Sequence, residues 1–99
     1  MATKMQRSSG NVFRDLGFDA REAENLRLRS ELMIHLRKLI ARRKLTQAAA
    51  AKLFGVTQPR ISDLVRGRID LFSLDTLVNM LAAAGVQVRL VLKRSSQVA

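Results

Sequence analysis

A single glycine between two helix-capping threonines restricts the fold of this chain more than any other feature. The Thr46 hydroxyl can cap a short helix, because it accepts a backbone N–H that the first turn leaves unpaired. Gly55 ends that helix, and Thr57 caps a second helix almost at once. Helices joined so closely must cross, and the crossing needs a small inward residue, which Ala51 supplies. Residues 46–66 therefore predict a pair of crossing helices.

The second helix of this pair has a polar outer face once Ile61 and Leu64 are turned inward. Such a helix fits the major groove of DNA, where Gln suits adenine and Arg suits guanine. Gln58 and Arg60 are the main candidates for base contacts, and the Pro59 ring can touch a thymine methyl group. Pro59 also suits a first helical turn, because its missing N–H is not needed there. The full predicted base-reading set is Gln58, Pro59, Arg60 and Asp63.

Positive charge is concentrated around this helix pair. The chain has 18 Lys and Arg against 8 Asp and Glu, a net charge of +10, and basic residues flank both helices. Basic side chains contact DNA phosphates, which positions a protein without reading sequence. The predicted phosphate contacts are Arg42, Arg43, Lys44, Thr57, Ser62, Arg66 and Arg68. Charge alone would equally suit a membrane, an acidic partner or RNA, so it is the helix pair that favours duplex DNA.

The composition excludes several other classes of protein. No cysteine is present, which excludes a disulfide framework and a thiolate metal site. No apolar run approaches the roughly 20 residues of a membrane span, and we expect a cytoplasmic protein. One histidine, His35, and scattered carboxylates do not supply the converging groups that catalysis needs. We therefore expect no enzyme, no metal site and no cofactor.

A helical stretch precedes the pair. Asp19 with Glu22 matches a capping box, and residues 20–43 contain neither Gly nor Pro. One long helix or two short ones would fit this stretch. Residues 1–18 are predicted to be a flexible basic arm, whose apolar anchors could pack onto the domain or onto a partner.

The sequence pattern changes period at Gly85. Before it, Ser73 caps a helix with apolar residues at helical spacing, which closes the core of a domain spanning residues 19–85. After it, residues 86–94 alternate between apolar and polar, which predicts a β-strand. A lone strand leaves backbone groups unpaired, so it should pair with a second copy in a homodimer or join another protein's sheet. A disordered or helical tail is the alternative, and residues 95–99 are predicted to be a tail. The predicted dimerisation residues are Val86, Val88, Leu90 and Leu92.

A family resemblance covers roughly residues 31–85. It rests on L-T-Q-A-A-A-A-K-L-F-G-V-T-Q-P-R-I-S-D-L-V-R-G and on F-S-L-D-T-L-V-N-M-L-A-A-A-G, which together resemble the XRE family of phage-repressor-type regulators. The resemblance implies an all-α fold, a compact helical bundle of the phage-repressor-like helix-turn-helix type, here with a C-terminal β-strand used in dimerisation in place of the fifth helix. It also implies that Gln47 meets a phosphate and that Gln58 and Arg60 meet bases.

Within that family, the S-S-G-N-V-F-R-D-L-G-F segment and the terminal strand make the chain similar to HigA-type antitoxins of type II toxin–antitoxin modules. This similarity implies a dimeric repressor that binds a palindromic operator of its own operon and neutralises a RelE-like ribonuclease toxin. RelE-like toxins are generally basic, so local acidic residues would have to meet such a partner. The alternative is a protein-interaction or nonspecific nucleic-acid-binding module without operator specificity.

Overall fold

The computed structural model describes residues 10–94, and those residues form a small helical bundle. The stretch that fitted one helix or two is a single helix of 23 residues. In chain order the elements are α1 (Val12–Asp15), α2 (Ala20–Arg42), α3 (Gln47–Phe54), α4 (Gln58–Val65), a 3₁₀ turn (Ile69–Leu71) and α5 (Leu74–Ala83).

Four helix starts are set by capping side chains, as the sequence predicts. In each case a carboxylate or hydroxyl oxygen accepts a backbone N–H three residues later, which satisfies a donor that the first turn leaves unpaired. These bonds confirm the predicted caps of α2, α3, α4 and α5. The four caps are Asp19 to Glu22, Thr46 to Ala49, Thr57 to Arg60 and Ser73 to Thr76.

The core forms where α2, α3, α4 and α5 meet. Ala51 is the small inward residue at the crossing of α3 and α4, as predicted, and it is buried. On α5 the buried residues include Met80, whereas Val78 and Ala82, which share the predicted apolar pattern, are exposed. The buried cluster comprises Met33, Leu36, Ala50, Ala51, Phe54, Ile61, Leu64, Phe72, Leu77, Met80 and Leu81. Removing these side chains from water is the main stabilising contribution to a bundle of this size.

Part of the segment predicted to be a flexible arm is ordered against α2. Residues 12–15 form α1, and the Asn11 side chain caps it by accepting the N–H of Phe13 at 2.9 Å. The Asn11 amide also donates to the carbonyl oxygen of Ala23 at 3.2 Å. The rings of Phe13 and Phe18 meet edge to face with centroids 6.3 Å apart. The first nine residues of the predicted arm lie outside the described residues.

The predicted C-terminal β-strand is absent from the described residues. The N–H of Val86 donates to the carbonyl oxygen of Leu81 at 2.9 Å, and beyond it residues 87–94 have no backbone hydrogen bond within residues 10–94. The physical reason is that a strand exists only with a paired neighbour, and nothing in this part of the chain supplies one. Leu90 and Leu92 are 81% and 89% exposed as a result. The predicted tail at 95–99 lies outside the described residues.

Candidate nucleic-acid interface

Helix α4 lies at the surface with one apolar side against the core. Ile61 and Leu64 are completely buried on that side. Because residues three or four apart share a helix face, the polar residues of α4 lie mostly on the opposite side. That side carries the exposed residues Gln58, Pro59 and Arg66 and the half-buried residues Ser62 and Asp63.

The N-terminus of α4 is held in place by its own turn. Gly55 adopts the left-handed conformation with φ of 71°, which ends α3 without the strain that a side chain would add. The N–H of Val56 then donates to the carbonyl oxygen of Ala51 at 3.0 Å. Thr57 caps α4, and Pro59 occupies its first turn. The first residues of the predicted base-reading face therefore have a fixed position relative to α3.

The structure does not place Arg60 with the other predicted base-reading residues. Its guanidinium carbon lies 5.5 Å from the centroid of the Phe72 ring, and its Nη1 donates to the carbonyl oxygen of Leu71 at 3.2 Å. Arg60 is half-buried. Sequence spacing places Arg60 beside the buried face, because it precedes Leu64 by four residues, but it does not show which residue Arg60 contacts.

Unpaired basic side chains lie at both ends of the helix pair. Arg42 ends α2, Arg43 caps it, and Lys44 follows with a positive φ of 54°. At the other end, Arg66 caps α4 and Arg68 follows it. All five are exposed, and none has a carboxylate partner within residues 10–94. Cations without partners remain free to contact phosphates.

The remaining predicted phosphate contacts differ in their availability. Gln47 is exposed at the first turn of α3, whereas the hydroxyl of Thr57 is already used as the cap of α4 and Ser62 is half-buried. Sequence reasoning missed Lys52, which is exposed and lines a shallow cleft together with Gln58. Lys52 and Ala48, which are four residues apart and so share a face of α3, both line that cleft.

Acidic residues on α2 are paired away from the helix pair. Arg27 forms ion pairs with Glu24 at 2.7 Å and with Glu31 at 3.1 Å. The hydrogen bond from Arg27 lowers the pKa of Glu24, and the same bond raises the pKa of Arg27. Glu31 precedes Arg42 by about three helical turns, which is roughly 16 Å along the axis. Glu24 and Glu31 therefore do not neutralise the positive charge at the helix pair.

The predicted dimerisation residues begin at a groove beside α2. Leu32, His35 and Leu39 form one wall of the groove, and Val86 and Val88 lie on the other. Val86 is half-buried and packs against the core, and Val88 is partly exposed at 36%. Leu90 and Leu92 continue beyond the groove into solvent. The start of the C-terminal segment is thus anchored, and its end is not covered by residues 10–94.

Residues 10–94 bring together no group of three His, Asp or Glu side chains that could bind a metal ion. Over the same residues, no helix has the length and apolar character needed to cross a membrane.

This chain matches a family profile and solved structures. A family profile described as a helix-turn-helix domain matches residues 12–93. The chain is also 32% identical to a solved structure named as an XRE family transcriptional regulator, with a TM-score of 0.69. That match covers 77% of this chain and 85% of the other. No curated protein matches the chain.

Proposed function

The chain belongs to the XRE family of helix-turn-helix transcriptional regulators, and from that premise we propose that it is a sequence-specific repressor that binds duplex DNA. The observation that carries the proposal is the outward side of α4. Polar and short side chains lie there on a helix whose start is fixed, and unpaired arginines lie at both ends of the helix pair. This combination suits a helix inserted in the major groove with phosphate contacts on its flanks.

Each residue of the proposed base-reading face suits a different base. The Gln58 amide can donate to and accept from the edge of adenine, and the Asp63 carboxylate can accept from the amino group of cytosine. The Pro59 ring can contact a thymine methyl group. Arg60 can reach a guanine only if its guanidinium leaves Leu71 and Phe72.

Phosphate contacts are assigned to the residues around that face. The proposed set combines the unpaired arginines at the two ends of the helix pair with polar groups near the starts of α3 and α4. Lys52 joins this set because it lines the same cleft as Gln58. The full proposed set is Arg42, Arg43, Lys44, Gln47, Lys52, Thr57, Ser62, Arg66 and Arg68.

We propose that the repressor acts as a homodimer joined through residues 86–94. What supports this is the alternation of Val86, Val88, Leu90 and Leu92 on a segment whose backbone, beyond Val86, has no hydrogen-bond partner within residues 10–94. Two copies of such a segment can pair as antiparallel strands, which satisfies their backbone groups and brings their apolar side chains together on one face. Two recognition helices about 34 Å apart would then read a palindromic operator.

A finer proposal is that the protein is the antitoxin of a type II toxin–antitoxin module and represses its own operon. It is supported by the resemblance to HigA-type antitoxins and by an apolar surface on the N-terminal segment. Val12, Leu16 and Phe18 are 59%, 69% and 40% exposed there, which offers a partner such as a RelE-like toxin a docking surface. Copurification of the product of an adjacent small reading frame, lost when Leu16 is changed to Asp, would test this proposal.

The experiment that tests DNA recognition compares two duplexes of equal length, one from the region upstream of the gene and one random, at two salt concentrations. We expect an excess of about 10³-fold or more for the upstream duplex. Equal affinities, followed by failure to select any preferred sequence from a random pool, would instead favour an interaction module that binds nucleic acid through charge alone.

A further inference from the structure

We infer that Arg60 is a positioning residue that ties α4 to the connection after it, and so fixes the angle at which Gln58, Pro59 and Asp63 meet DNA. This inference rests on the proposed function and deepens it, because it assigns a specificity role to a residue that need not touch a base. The pattern of contacts around residues 69–72 carries it.

The first contact joins Arg60 to the core. Its guanidinium lies over the face of Phe72, at 5.5 Å from the ring centroid, in the arrangement of a cation–π interaction. Phe72 is only 1% exposed and belongs to the buried cluster. The Nη1 of Arg60 also donates to the carbonyl oxygen of Leu71 at 3.2 Å. Two contacts to adjacent residues hold one guanidinium in a single orientation.

The second contact joins the connection to α2. Arg29 of α2 donates through Nη1 to the carbonyl oxygens of Ile69 and Phe72, both at 3.2 Å. Its Nε donates to the Oδ1 of Asn25 at 2.7 Å, which holds the guanidinium in place. Residues 69–72 therefore accept hydrogen bonds from an arginine of α2 and from an arginine of α4. Any tilt of α4 against α2 must break or stretch these bonds.

The proposed base-reading side chains make that tilt important. Pro59 and Asp63 are short, so they reach a base edge only when the helix backbone itself sits close to the groove. A displacement of about 1 Å in a positioned group is enough to lose much of its effect. Arg60 cannot lie over Phe72 and also form a bidentate pair with guanine, since both use the same planar group. While Arg60 lies over Phe72, it affects recognition by holding α4 in position and not by contacting a base.

The test is a double-mutant cycle between Arg60 and Phe72, read as affinity for a selected operator and for each of its single-base-pair variants. We expect Arg60→Ala to weaken operator binding by about 3- to 20-fold, with the loss spread over the positions read by α4. Phe72 is buried and does not reach DNA. Phe72→Leu should therefore weaken binding too, and in that background Arg60→Ala should have little further effect. Arg66→Ala, which removes an exposed arginine from the C-terminal end of the same helix, should weaken operator and random DNA alike.

A second measurement covers the case in which Phe72→Leu does not fold. The side-chain protons of Arg60 should be shifted upfield by the Phe72 ring in the NMR spectrum of the free protein, and the shift should persist in the operator complex. Loss of that shift on binding, together with relaxed preference at one base pair in Arg60→Ala, would overturn the inference and restore Arg60 as a base reader. A wild-type protein with no preferred sequence would overturn the proposed function itself.

Discussion

Arg29 of α2 donates a hydrogen bond to the carbonyl oxygen of Phe72, 43 residues later in the chain, at 3.2 Å. The same nitrogen donates to the carbonyl oxygen of Ile69. Helix α2 is thereby hydrogen-bonded to the connection that leads from α4 to α5. The side chain of Phe72 also contacts Arg60 of the proposed recognition helix. Phe72 therefore links that helix to α2.

Removing the Arg29 side chain should destabilise the whole bundle. We expect Arg29→Ala to lower the free energy of unfolding by about 1–3 kcal/mol, because the carbonyl groups of Ile69 and Phe72 lose a charged donor. Urea unfolding followed by circular dichroism measures the change. Arg27→Ala is the matched control on the same helix, since the pairs of Arg27 with Glu24 and Glu31 are exposed and worth roughly 0–1 kcal/mol. Equal stability of the two variants would contradict the role of Arg29.

The sequence predicted those features of the fold that depend on interactions between residues close together in the chain. Helix starts at Asp19, Thr46, Thr57 and Ser73 were predictable, because a cap and the N–H it accepts are three residues apart. The orientation of Arg60 was not, since its acceptor lies eleven residues later and reaches it only after the helices pack.

The segments before α2 and after α5 were also hard to predict, because their structure depends on partners distant in the sequence. The segment that contains α1 is joined to α2 by a hydrogen bond between Asn11 and Ala23, twelve residues apart, which composition alone did not reveal. The alternation of residues 86–94 predicted a strand that the described residues do not contain, because strand formation requires a second segment that residues 10–94 do not provide. At the candidate interface, sequence spacing alone identified Gln58 and Pro59 on an exposed helix start.

Gln58 should contribute to sequence preference, whereas Gln47 should contribute to affinity alone. Gln58→Ala is expected to cost about 1–3 kcal/mol on the operator and almost nothing on random DNA, because a base contact is lost. Gln47→Ala, at the corresponding first turn of α3, should weaken binding to both duplexes similarly. Fluorescence anisotropy with labelled duplexes measures all four affinities. A uniform loss for Gln58→Ala would remove it from the base-reading set.

Arg43 should contribute one phosphate contact. Arg43→Ala is expected to reduce the slope of the logarithm of the association constant against the logarithm of salt concentration by about one, because one fewer counterion is released. Affinity for all duplexes should fall together. Arg27→Ala, in which the lost arginine is already paired with carboxylates, should leave the slope unchanged. The role of Arg43 would be rejected if its variant kept the slope of the wild type.

The C-terminal segment should hold two copies together, and its alternation supplies a matched pair of variants. Leu90 and Val91 are 81% and 85% exposed in the single chain, so an aspartate at either position has the same effect on the folded monomer. In a paired strand, however, successive side chains point to opposite faces, and only Leu90 shares a face with Val88 and Leu92. Leu90→Asp should therefore give a monomer in sedimentation equilibrium, while Val91→Asp remains dimeric.

Raising the salt concentration should affect dimerisation and DNA binding in opposite directions. Each copy carries a net charge of +10, so raising the ionic strength should screen the repulsion between two copies and strengthen the dimer. The same change should weaken binding to DNA, because counterion release contributes less at high salt. Leu90→Asp should also lose operator affinity steeply, since one recognition helix binds without the effective concentration that the second provides. Dimers that survive Leu90→Asp, or that dissociate as salt rises, would show that the two copies meet through another surface.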